Sequence, residues 1–151
     1  MAGHTELRIA LGTWDHLGQD ARHVRHEVFV LEQSVPPDIE LDDLDAVSIH
    51  AVAYDARGRP LGTGRLLPDG HIGRMAVLRQ ARGTGLGSRI LRALIAEGRG
   101  LGHACLALHA QTHAKDFYLA HGFVMQGDTF IEAGIEHCLM VLDCSVAPGV
   151  Q

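Results

Sequence analysis

The sequence predicts one α/β domain, and three observations carry that reading. Strand-type and helix-type hydrophobic patterns follow one another in mixed order, no segment repeats, and no linker interrupts them. The order is strand, helix, three strands, helix, strand, helix, two strands. At 151 residues the chain suits a single domain that buries roughly two-thirds of its unfolded surface.

Glu6 to Leu11 alternates polar and apolar residues, as a strand with one buried face does. From Trp14 to Phe29, the residues Leu17, Ala21, Val24 and Val28 recur at three- and four-residue steps, which predicts an amphipathic helix. Pro36-Pro37 bars its continuation. The acidic stretch Glu40-Leu41-Asp42-Asp43-Leu44-Asp45 is expected as a loop. Ser48 to Tyr54 and Leu61 to Leu67 read as a hairpin about the turn Asp55 to Pro60, and Pro68-Asp69-Gly70 leads into a strand from His71 to Leu78. A glycine-rich segment then opens a helix in which Leu86, Ile90, Leu91, Leu94 and Ile95 keep helical spacing. Gly98, Gly100 and Gly102 are expected to end it. Ala104 to Ala110 is a short apolar run, expected as a strand buried on both faces. Ala114 to His121 is a short helix stopped by Gly122. Phe123 to Phe130 and Glu136 to Leu142 close the sheet as a hairpin around Glu132-Ala133-Gly134. On this reading residues 1–144 form the domain and residues 145–151 a frayed tail.

Composition excludes several classes. Hydrophobic residues make up 46% and charged residues 21%, which fits a soluble globular chain and not a disordered one. No apolar run approaches the ~20 residues of a membrane span, and Met1 to Leu11 lacks the pattern of a signal peptide. The net charge of −5 argues against nucleic acid as a partner. Three cysteines, none in a CxxC spacing, suit a reducing, cytoplasmic setting, with Cys105 expected as a small buried hydrophobe. The 11 histidines are scattered without metal-site spacing, and His23 with His26 supplies two ligands without a third, so no metal is expected.

A strand, then Gly83-Thr84-Gly85-Leu86-Gly87, then a helix is suited to hold phosphate. Glycines let an anion approach the backbone, and the free N–H groups of the helix start donate to it. A Walker-A loop needs Lys-Ser or Lys-Thr after its last glycine, whereas Gly87 is followed by Ser88-Arg89. A dinucleotide fingerprint needs GxGxxG after a first strand, whereas the spacing here is GxGxG after several strands.

Gln80-Ala81-Arg82-Gly83-Thr84-Gly85 is Q-x-x-G-x-G and resembles the coenzyme-A signature of the GNAT (GCN5-related N-acetyltransferase) superfamily. Gln111 to Phe123 resembles that family's N-x-x-A-x-x-x-Y-x-x-x-G-F, with Gln111 in place of Asn. Val28-Phe29-Val30-Leu31-Glu32-Gln33, Ala110-Gln111 and Gly134-Ile135-Glu136-His137 look like the small bacterial ElaA-like group. Arg25, Phe29, Glu40-x-Asp42-x-x-Asp45 and Arg65 are also similar to acyl-homoserine-lactone synthases, which share the fold.

The resemblance implies a GNAT fold: a central mixed, mostly antiparallel sheet with splayed middle strands and flanking helices. It implies acetyl transfer from acetyl-CoA to a primary amine of a small or peptidic acceptor by direct attack. Two alternatives stay open, an acyl-homoserine-lactone-synthase-like acyltransferase and a non-catalytic acyl-CoA sensor. The backbone of Met75, Ala76 and Val77 would hold pantetheine and polarise the thioester. Gln80, Arg82, Gly83, Thr84, Gly85, Leu86, Gly87 and Ser88 would hold the pyrophosphate, while Gln111 and Ala114 would contact pantetheine. Tyr118 matches the tyrosine that protonates the departing sulfur. Strand alternation is expected to set His71 on one face with Gly73, Met75 and Val77, which suggests His71 as the base. Glu32 and Glu132 are further candidates on the acceptor side. Glu40, Asp42 and Asp45 could line the acceptor entrance without a neutralising neighbour in the local sequence, with Arg65 as a partner. Oligomeric state stays open; closing hairpins in such folds often pair, which makes a homodimer one option.

Overall fold

The computed structural model describes residues 6–145. Among these residues seven strands form one sheet: β1 (Arg8–Gly12), β2 (Ile49–Tyr54), β3 (Pro60–Leu66), β4 (His71–Val77), β5 (Cys105–Gln111), β6 (Val124–Glu132) and β7 (Ile135–Asp143). Their spatial order is β1-β2-β3-β4-β5-β7-β6, antiparallel except for the β4–β5 pair. The four α-helices among the described residues are α1 (Trp14–Arg25), α2 (Pro37–Glu40), α3 (Leu86–Gly100) and α4 (Lys115–Leu119). Of the expected tail, residues 146–151 lie outside the described residues.

The two long helices cover opposite faces of the sheet. Ile90, Leu91 and Leu94 of α3 are wholly buried in one cluster with Ala51, Ala53, Leu106 and Leu108. Burial of each such Leu or Ile stabilises by about 1.5–3 kcal/mol. Val24 and Val28, from α1 and its continuation, pack with Ala76 and Leu78 on the other face. At Gly64 an added Cβ would lie 2.6 Å from Met75 Sδ and 2.8 Å from Leu94 Cδ1, so α3 sits close on β3 only because that position is bare.

Four expectations are corrected. The first helix does not stop at Phe29: after Arg25 it continues as a wider, π-helical turn over His26–Glu32, and Ser34 at φ 62 then reverses the chain before the prolines. The acidic stretch is not a solvated loop. It forms α2 and a 3₁₀ turn, Asp43–Val47, with Glu40 and Asp45 buried. Gly98 does not end α3. The helix runs past it to Gly100, and an added Cβ at Gly98 would meet Leu106 at 2.8 Å. Strand β5 is buried on one face only, alternating through Leu106, Leu108 and Ala110, and Cys105 is exposed.

The middle of the sheet opens. β4 and β5 pair only at His71 with Ala107 and Ile72 with Leu108, and then part into a V. At about 3.3 Å per residue, Ile72 to Val77 leaves roughly 16 Å of β4 edge without a strand partner.

β4 also carries a bulge. Gly73 lies opposite Arg65 and Ala76 opposite Thr63, so β4 has one residue more than β3 across that step. Arg74, at φ 53, supplies it. Its guanidinium is anchored on the Glu40 carbonyl (3.1 Å), the Glu40 carboxylate (3.2 Å) and Asp42 (3.3 Å), which holds a non-glycine residue in the left-handed region. The bulge overturns the expected alternation. Ile72 and Met75 both belong to the α3-side core, whereas Ala76 packs on the α1 side. His71 therefore does not share a face with Met75 and Val77.

Candidate active site

A cavity of about 720 Å³ runs along the V, lined by β4 from His71 to Val77, by the π-helical turn at Phe29 and Glu32, and by β5 at His109 and Gln111. Ala114, Tyr118, Glu132, Glu40 and Arg65 also line it, while Asp42 and Asp45 do not.

The glycine loop stands at the open end of the V. Gly83 and Gly85 take φ 78 and 82, and an added Cβ at either would meet nothing within 4 Å. Their role is conformational: L residues rarely adopt that backbone. Gly85 is the N-cap of α3, and no side chain caps the helix. Its first amides, from Leu86 to Ser88, thus start a 15-residue helix without a side-chain acceptor. Thr84 Oγ donates back to the Ala81 carbonyl (2.6 Å), and Ser88 Oγ lies 2.9 Å from His121 Nε2. Gln80, on the 3₁₀ turn Arg79–Ala81, is exposed.

Two consecutive residues at the end of the π-helical turn span the V. Glu32 receives two hydrogen bonds from Arg82 (2.7 and 2.6 Å), and this pairing lowers the Glu32 carboxyl below its ordinary range while raising Arg82. Arg82 Nε also donates to the Val77 carbonyl (3.0 Å), on the freed β4 edge. Gln33 exchanges hydrogen bonds with Gln111 on β5 (3.0 and 3.3 Å), and His113 Nε2 lies 2.7 Å from Gln111 Oε1.

Tyr118 comes from α4 and is buried to 8% exposure. Burial pushes its hydroxyl up to about 12, and no side-chain hydrogen bond among the described residues involves that hydroxyl. A phenol so placed stays protonated at neutral pH and is free to donate to a group entering the cavity.

The acidic residues are not a free negative field, which corrects the expectation from local sequence. Arg25, itself buried, bonds Glu40 (2.6 Å) and Asp45 (2.8 Å). Arg65 bonds Asp42 (2.7 Å) and Asp45 (2.8 Å). Asp42 is lowered chiefly by the Arg65 hydrogen bond. At Asp45 burial pushes upward, and the bonds from Arg25 and Arg65 outweigh it. Three carboxylates thus meet three guanidiniums, Arg74 included, so the charged residues behind the synthase likeness form one closed network, while Phe29 lines the cavity.

Sequence reading missed His109, Gln33 and Arg74. Alternation along β5 from Gln111 would have set His109 on the cavity face. Arg74 had no such signal, because nothing in Gly73-Arg74 says which residue takes the positive φ.

A sheet splayed at its one parallel pair, with a glycine loop opening a helix at the mouth of the splay, defines the acyl-CoA transferase class that the motifs resemble. The acetyltransferase (GNAT) domain matches residues 18–144, and the chain belongs to that family. It is 41% identical over 129 residues to the uncharacterized N-acetyltransferase YjcF of Bacillus subtilis, covering 83% of this chain and 91% of that protein. The solved acyl-CoA N-acyltransferase from Pseudomonas aeruginosa matches with a TM-score of 0.80 at 30% identity, over 91% of this chain and 99% of that one. Escherichia coli ElaA shares the fold, with a TM-score of 0.79 at 22% identity over 91% and 100% of the two chains. The chain is an acetyltransferase of a family that takes acetyl-CoA or another acyl-CoA as cosubstrate.

Proposed function

We propose that the chain moves an acetyl group from acetyl-CoA to a primary amine by direct attack of the amine on the thioester. The observation that carries this is Tyr118, which lines the cavity into which β4 turns its unpaired edge and whose protonated hydroxyl has no hydrogen-bond partner among the described residues. In this reading the amides from Gly83 to Ser88 and Arg82 hold the pyrophosphate, and β4 from Met75 to Val77 receives the pantetheine arm as an added strand would. A backbone N–H at Met75 or Ala76, beside the bulge, polarises the thioester carbonyl. Gln111 and Ala114 flank the arm from β5 and α4. Arg82 must then exchange Glu32 and the Val77 carbonyl for phosphate.

The amine approaches past His71 and Glu132, and one of the cavity histidines removes its proton. Glu40 and Arg65 shape the wall without net charge. A cytoplasmic setting is supported by Cys105, Cys138 and Cys144, all free. Among the described residues no helix is long and apolar enough to cross a membrane.

The test is thiol release from acetyl-CoA across a panel of primary amines, with Tyr118→Phe alongside. Release is expected only when an amine is present. Tyr118→Phe is expected to fold and bind CoA, and to lose ~10²–10⁴-fold in rate. Wild-type turnover in that variant would return Tyr118 to the core, and CoA binding without release on any amine would make the chain a sensor.

A further inference from the structure

Transfer to an ammonium needs a base where the strands part. With the donor's phosphates on α3 and its arm along β4, its reactive end lies toward the crotch. Pairing between β4 and β5 ends at Ile72 and Leu108, and the next residue along β5 is His109. Leu108 and Ala110 on either side belong to the α3-side core, so His109 turns the other way, into the cavity.

Three neighbours hold the ring. Glu132 Oε1 lies 2.9 Å from Nδ1. Phe130 meets it edge-on at 5.1 Å between centroids, and His71 does so at 5.9 Å. A carboxylate accepting from Nδ1–H fixes the tautomer that leaves the lone pair on Nε2, and it stabilises the imidazolium that forms. The other titratable groups about the ring are His71 and Asp69 at the start of β4, and His137 of β7, which stacks on Phe130. Arg74 is turned to Glu40 and Asp42. His71 has no comparable support: its Nδ1 is 3.0 Å from Asp69 Oδ1 but outside hydrogen-bond geometry.

We propose that His109 Nε2 is the general base of the transfer and that Glu132 is its positioning residue, an inference that rests on acetyl transfer as read above. Nε2 takes a proton from R–NH₃⁺, and the nitrogen lone pair so freed forms the N–C bond to the thioester carbonyl carbon. The C–S bond breaks, and its electron pair leaves on sulfur, which receives the Tyr118 proton. The second amine proton, shed as the amide forms, returns to Tyr118 through water. The imidazolium gives its proton to solvent, which reaches the half-exposed side chains of His109 and Glu132.

The experiment measures thiol release from acetyl-CoA with alkylamines from propylamine to spermidine, ammonium ions at neutral pH, and with hydroxylamine, which is already unprotonated there. His109→Gln is expected to lose ~10²–10⁴-fold with the alkylamine and to keep hydroxylamine turnover near wild type. Glu132→Gln is expected to lose roughly 10–100-fold with the alkylamine. Its loss should fall on kcat, with KM for acetyl-CoA and hydroxylamine turnover near wild type. Equal loss with both acceptors in His109→Gln overturns the proposal, as does an alkylamine defect in His71→Gln that His109→Gln lacks. Wild type that acetylates hydroxylamine and no alkylamine removes the base and leaves acetyl transfer standing. Wild type inactive on both overturns the transfer reading itself.

Discussion

Two polar clusters border the same cavity, and they differ in almost every physical respect. On the α1 side, Arg25, Arg65 and Arg74 meet Glu40, Asp42 and Asp45 in a network whose central members, Arg25, Glu40, Asp45 and Arg65, are all under 5% exposed. Across the V, His71, His109 and Glu132 stand half-exposed, with one hydrogen bond at 2.9 Å among them. Buried ions must be paired because desolvation costs several kcal/mol per ion, and once paired they are held still. Half-solvated imidazoles can gain and lose protons cheaply, as chemistry requires. Acidic residues thus play opposite parts within one site. Their solvent access and their partners decide which, and the run of acids in the sequence does not.

The sharpest way to break this comparison is Asp45→Asn. It leaves Arg25 and Arg65 facing a neutral amide in a buried place, and losing one partner of a buried pair costs roughly 3–5 kcal/mol. For a domain of this size that lowers Tm by about 10 °C. Glu132→Gln, in the solvated cluster, is expected to leave Tm nearly unchanged. Calorimetry on the two variants checks both, and equal Tm losses would erase the distinction.

Acid should take the closed network apart in a defined order. His50, whose Nε2 lies 2.9 Å from the Asp45 carbonyl, is held below its ordinary 6.5 by burial, and Asp42 and Asp45 lie below their ordinary 3.8. Each folded value is depressed, so each contribution is complete above the unfolded value and is lost as pH falls toward the folded one. Tm should decline gently below about pH 6.5 and steeply below about pH 4. His50→Asn should weaken the first stage, to which His121, likewise lowered by burial, also contributes, and leave the second intact. A Tm flat down to pH 3 would show that the network does not hold the fold.

What was legible in the sequence was local. Hydrophobic period placed β1 through β7 to within two residues and found the start of α3, and the glycine loop and Tyr118 came with short-range patterns. The misses all depend on partners far along the chain. Arg25 meets residues 15 and 20 positions away, and Gln33 meets Gln111 across 78. The Arg74 bulge is stabilised by Glu40 and Asp42, so no reading of β4 alone could find it. It reversed the facing assigned to His71 and left His109 as the better-held imidazole.

A smaller effect separates the clasp of Glu32 and Arg82 from the buried pairs. Exposed ion pairs contribute about 0.2–1 kcal/mol, so releasing Arg82 with Glu32→Gln is expected to tighten CoA binding by less than about fivefold. Titration calorimetry would detect that change. Weaker binding would instead make Glu32 part of the donor's seat.

The most direct measurement is the melting temperature with and without CoA, for wild type, Gly83→Asn and Gly83→Asp. A ligand at about a hundred times its Kd stabilises by ~2.7 kcal/mol, or about 5–10 °C for this chain length. Asn tolerates the left-handed backbone that Gly83 adopts at φ 78; Asp has the same shape and adds a negative charge. The wild type should show the full shift, Gly83→Asn a reduced one, and Gly83→Asp none. An undiminished shift in Gly83→Asp would contradict the seating of the donor's phosphates on this loop.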